Sequence, residues 1–158
     1  MLTAPPHART FALHRQLREN IAQLLRSLTD EQLNRIPPGA SNNLIWNAGH
    51  VVATAELLTY GLGGHALPSG RGFVDRYRKG TRPEGSVSAE EIAYIRRALS
   101  ENAEGIQQAV GALDWSDYRE YTTSFGVTLH DLGEALEFNN LHESMHLGTM
   151  LLLRRLVA

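Results

Sequence analysis

An unbroken helical seam near the end of the chain constrains its fold more than any other feature. Between Thr128 and Leu156 there is no proline, and Leu132, Ala135, Asn139, His142, His146, Thr149, Leu153 and Leu156 recur at alternating steps of three and four. That spacing marks one face of an α-helix packed against other helices. Two of the seam residues, His142 and His146, stand four positions apart, so both imidazoles share a face about one turn apart. Neutral imidazoles placed this way can share one metal ion. Two core histidines hydrogen-bonded to their neighbours would give the same spacing.

The pair reads His142-Glu143-Ser144-Met145-His146, which is also the HExxH pattern of zinc peptidases. In that pattern Glu143 is the candidate general base. On a straight helix, however, Glu143 lies about 100° around from His142. Its carboxylate can therefore face a neighbouring helix instead, where it would orient a ligand histidine or pair with an arginine. Twelve residues follow His146, none of them His, Asp, Glu or Cys, so a third ligand is expected upstream.

The rest of the chain reads as further helices. Leu13, Leu17, Ile21, Leu24 and Leu28 keep helical spacing from about residue 7 to 28, with arginines on other faces. Thr29 and Gln32 form a capping box for a short turn, which Pro37-Pro38-Gly39 ends. A second long helix, expected from Asn42 or Asn43 to Leu62, is apolar nearly all round and carries Trp46, His50, Ala53 and Leu57 on one face. A lone histidine there is ordinarily structural; beside His142 and His146, His50 becomes the natural third ligand. Three histidines on two helices leave a coordination position open.

Residues 63–87 hold six glycines and two prolines and read as a long irregular loop between the second and third helices. Its Arg71, Arg76, Arg78, Lys79 and Arg82 make it either a solvated basic loop or an anion-binding lid, with Arg76 and Arg78 as candidate ligand-binding residues. A third helix follows the capping box of Ser88 and Glu91, with Ile92, Ile95, Leu99, Asn102, Ile106, Ala109 and Leu113 on its seam. Thr128 with Asp131 is expected to start the last helix. Four long seams without alternating strands predict an all-α, antiparallel four-helix bundle, and 158 residues suit one domain.

A net charge of −2 argues against general nucleic-acid binding. Asn47, His50 and Glu56 interrupt the most apolar helix, which argues against a membrane span. The chain has no cysteine, hence no thiolate ligand or nucleophile of its own, and no signal-peptide pattern at its start; both suit a cytoplasmic protein.

Leu44-Ile45-Trp46-Asn47-Ala48-Gly49-His50 and His142-Glu143-Ser144-Met145-His146-Leu147-Gly148 together resemble the two hallmark segments of the DinB-like superfamily. The resemblance extends to Thr29-Asp30-Glu31-Gln32-Leu33 and to the loop around Gly80-Thr81-Arg82-Pro83. It implies a four-helix bundle of the DinB/YfiT-like type, often a homodimer, with a divalent metal on the residues matching His50, His142 and His146. Relatives include YfiT-type metal-dependent hydrolases and thiol-dependent S-transferases. The implied function is a metal-dependent hydrolase or S-transferase acting on a small-molecule substrate, with zinc or nickel as the metal and a low-molecular-weight thiol as a further cofactor. A metal-stabilised binding protein without turnover is the competing expectation.

Overall fold

A computed structural model describes residues 6–158. Its helices are α1 (Ala8–Arg26), α2 (Asp30–Asn34), α3 (Leu44–Glu56), α4 (Gly70–Tyr77), α5 (Ala89–Ala112) and α6 (Leu132–Val157). A π-helical segment, Leu57–Gly61, continues α3, and a small antiparallel hairpin pairs β1 (Tyr121–Thr122) with β2 (Thr128–Leu129). The chain is mostly helical. Both α1 and α3 pack against α5 and α6, and the main core lies between these four, around Ile21, Leu25, Val51, Ile95, Leu99 and Met150.

Capping chemistry sets the helix starts. The side chains of Thr29, Asn43, Ser88 and Asp131 each accept a hydrogen bond from a backbone N–H in the first turn of α2, α3, α5 and α6 respectively. These bonds occupy donors that a helix start otherwise leaves unpaired. The last helix is therefore capped by Asp131, three residues later than the Thr128 pattern suggests. Thr128 instead pairs with Thr122 across the hairpin, and His130 precedes the helix.

Three expectations need correction. The segment 63–87 is not irregular throughout, because it contains α4, which buries Val74 and Tyr77 against α3. The arginines of α1 are not all on outer faces. His14, Arg18, Ile21 and Leu25 form its inner stripe, whereas Leu13 is exposed. At the end of α6 the buried stripe runs through Met150, Leu153 and Val157, leaving Leu156 outside.

Arg18 is buried because every direction its guanidinium faces supplies an acceptor. Nε and Nη2 donate to Glu143 at 2.8 Å each, Nη1 donates to the Leu99 carbonyl, and Nη2 also reaches Asn102 Oδ1 at 3.0 Å. Asn102 donates in turn to the buried Glu56, which accepts from the backbone N–H and hydroxyl of Ser69, just ahead of α4. A polar chain thus crosses the interior from α6 to α4, each charged group in it hydrogen-bonded.

Candidate metal centre

His50 projects from the middle of α3, and His142 and His146 project from successive turns of α6. The long-range packing of α3 on α6 brings His50 against two imidazoles that lie 92 or more residues further along the chain. One ring nitrogen from each lies within 4.8 Å of the others, and the Nε2 atoms of His50 and His142 are 3.2 Å apart. This is the only such cluster among the described residues.

The outer nitrogens fix the direction of two rings. His50 Nδ1 lies 2.7 Å from the Tyr77 carbonyl oxygen, which can only accept, so Nδ1 carries the proton and Nε2 keeps its lone pair. His146 Nδ1 lies 2.8 Å from Asn47 Oδ1. The Asn47 amide NH2 is already committed to Asn42 Oδ1 and the Asn43 carbonyl, so its oxygen faces His146 and imposes the same tautomer. Outward Nδ1–H bonds of this kind orient histidines that ligate a metal through Nε2. His142 Nδ1 is buried without a partner, so no outward hydrogen bond aims that ring, which is held by packing and by its Nε2 contact with His50. The Trp46 ring stacks on His50, 4.7 Å between centroids and 11° from parallel.

Close approach of α4 depends on Gly49. A Cβ there would meet the Tyr77 ring at 2.5 Å. Its absence lets Tyr77 lie flat on α3, which in turn delivers the carbonyl to His50.

The three rings resist protonation. Burial lowers the His50 imidazole, against the hydrogen bond to Tyr77. Burial, then the neighbouring His50, lowers His142 to about 4. Burial, then His142 and His50, lowers His146 to about 3. Neutral imidazole is the form that ligates metal, and at pH 7 all three are neutral. Geometry, the tautomers of His50 and His146, and the protonation of all three fit a divalent cation.

The triad forms one wall of a cavity of about 690 Å³ that also takes in Thr54, Leu57, Leu58, Phe138 and Met145. The π-helical segment supplies part of that wall through Leu57, Leu58 and Gly61.

The other candidate residues lie elsewhere. Glu143 is fully buried and faces α1, accepting from Arg18, from His14 Nε2 and from Asn139. Burial alone would push its carboxyl up, but the adjacent Arg18 and His14 outweigh it and hold the group well below the usual carboxylate range. It lines no part of the cavity. Arg76 is bonded to Glu91 and Arg78 pairs with Asp75; neither lines the cavity. His14 bonds Glu143, and His65 lies at the cavity edge with Nε2 against the Asp114 carbonyl.

Residues 13–150 match the family model for the DinB superfamily. The chain belongs to the DinB superfamily. Comparison with curated proteins finds no match.

Sequence reasoning missed the supporting contacts. Asn47 and Gly49 were visible inside the α3 motif, but nothing in the sequence said that one turns an oxygen to His146 or that the other admits Tyr77. The carbonyl of Tyr77 leaves no sequence signal, because any residue supplies one.

Proposed function

We propose that this DinB-superfamily chain is a metal-dependent enzyme acting on a small molecule, by hydrolysis or by transfer to a low-molecular-weight thiol. His50, His142 and His146 would hold a divalent ion, zinc or nickel. The observation that carries the proposal is the convergence of three neutral imidazoles on the wall of a cavity large enough for a small ligand. An ion held by three neutral ligands keeps its positive charge, so it supplies Lewis acidity to whatever occupies the cavity. The chain's own contribution is positional. Tyr77 and Asn47 aim two imidazoles, Trp46 fixes the plane of one, and the apolar residues of α3 and α6 exclude water.

Glu143 in this reading is a structural anion that ties α6 to α1, because its oxygens are occupied by Arg18, His14 and Asn139. The packing of the four long helices supports the antiparallel four-helix-bundle architecture and a single domain over 1–158. The exposed Leu141, Met145, Leu152 and Leu156 on α6 support a homodimer. Among the described residues no helix is long and apolar enough to cross a membrane; with the absence of cysteine, this supports the cytoplasmic placement.

A non-catalytic, metal-stabilised binding protein is the second reading. It is favoured by one observation: among the described residues, no carboxylate lines the cavity to serve as an acid or base. Metal analysis of the purified chain, followed by turnover assays with water and with candidate thiols, tests both. Stoichiometric metal with turnover supports the enzyme; stoichiometric metal with none across a broad substrate panel favours the binding protein; no metal overturns both.

A further inference from the structure

The cavity beside the triad is lined one-sidedly in charge. The chain as a whole is slightly acidic, yet the charged side chains lining this cavity, Arg71, Lys79 and Arg119, are all basic. Arg71 comes from the first turn of α4, and Lys79 follows its end by two residues. Among the described residues neither has an ion-pair partner. By contrast, Arg76 and Arg78 on the same segment are paired with Glu91 and Asp75. Arg119 is braced on the π-helical segment, donating from its side chain to the Gly61 carbonyl and from its backbone to the Leu62 carbonyl. The remaining lining is largely apolar, with Leu57, Leu58, Leu62, Leu67 and Phe138.

We infer that this cavity binds a small amphipathic organic anion, with its apolar body against the leucines and Phe138 and its acidic head at Arg71 and Lys79. Two physical arguments meet here. Apolar surface in a cavity of this size gains from removing a hydrocarbon body from water, without selecting its charge. The charge is selected by the unpaired cations: their field favours an acidic head and repels a basic one, and the partly enclosed walls concentrate it. The inference deepens the proposed function, which adds a further reason. Three neutral ligands and no lining carboxylate leave a bound divalent ion uncompensated, and an anionic ligand supplies the balance.

The test uses the full chain, metal-loaded and chelated, with a fluorescent naphthylamine dye in the cavity. 4-Phenylbutyrate and 4-phenylbutanol, which share a body and differ in charge, compete for it. The acid should displace the dye at about tenfold lower concentration than the alcohol, a preference that shrinks as salt rises. In chelated protein, Arg71→Gln with Lys79→Gln should erase the preference while leaving displacement by the alcohol unchanged. Arg154→Gln with Arg155→Gln, beside the exposed leucines of α6, should leave it intact. Equal displacement by acid and alcohol would overturn the inference. So would a preference that survives Arg71→Gln/Lys79→Gln in chelated protein, or one lost in the α6 variant, since the anion would then sit on that helix face. The preference in chelated protein rests on the side-chain cations alone. A chain that binds no metal yet keeps it refutes only the metal reading, and a metal-loaded chain without it refutes only the anion inference.

Discussion

Replacing Arg18 with methionine probes the buried ion pair that ties α6 to α1. Methionine keeps much of the side-chain volume, so the dominant effect is electrostatic rather than a cavity. Glu143 has no solvent exposure. Without the guanidinium its Oε2 loses the 2.8 Å bond from Nε, and Oε1 retains only His14 and Asn139. The Leu99 carbonyl and Asn102 Oδ1 also lose a donor. Breaking one side of a buried pair costs about 3–5 kcal/mol. For a chain of this size that is a fall of roughly 10 °C in melting temperature. Removing both charges, in Arg18→Met with Glu143→Met, should recover most of the loss, because apolar replacements of a buried pair are often neutral. Urea denaturation of the wild type, both single variants and the double closes the cycle. If Arg18→Met alone stays within about 1 kcal/mol of wild type, or if the two losses simply add, the pair does not hold the helices together as argued.

Three further outcomes follow from the site. His50→Ala, His142→Ala and His146→Ala should each lose most of the bound divalent metal by elemental analysis, whereas His65→Ala, His130→Ala and Glu143→Gln should keep it. Gly49→Ala should displace Tyr77, remove the outward partner of His50 and weaken metal affinity about 10–100-fold in a competition titration; unchanged affinity would show that Tyr77 is not needed to aim the ring. In metal-free protein, His142 and His146 hold pKa values of about 4 and about 3 against an ordinary 6.5. In that interval the unfolded chain binds more protons than the folded one, so stability is full above pH 6.5 and falls as the pH drops toward 4. Thermal melts of chelated wild type should show this slope, and His142→Phe should reduce it.

The histidine triad was legible because its signal is periodic. Four-residue spacing on α6 and a lone histidine on the apolar face of α3 need only helical geometry to point inward. The helix seams were legible for the same reason: Ile92, Ile95, Leu99, Asn102, Ile106 and Ala109 are buried as their spacing implies, whereas Leu113, past the helix end, is exposed. Arg18 was misplaced because hydropathy counts an arginine as a surface residue. Its burial depends on Glu143 of α6, 125 residues away, and on carbonyls that no side-chain pattern records. The helix α4 was hidden by Gly70, Gly72 and Pro68, although Phe73, Val74 and Tyr77 carry a short helical period. The cavity was illegible altogether, because its walls come from four separated stretches of chain, residues 50–71, Lys79, 119–125 and 138–146.

The π-helical segment after α3 has a consequence for how such a site can diversify. Leu62 N–H donates to the Leu57 carbonyl, five residues back, so the helix carries one residue more than α-helical pairing would need. His50 lies upstream of that extra residue and the cavity wall at Gly61 and Leu62 lies downstream. Deleting one residue between 57 and 61 would turn everything beyond it by about 100°, presenting new side chains to the cavity while His50 stayed in register with α6. The cavity lining and the histidine triad are thereby separable along a single helix, so one insertion or deletion can re-face the cavity without moving His50.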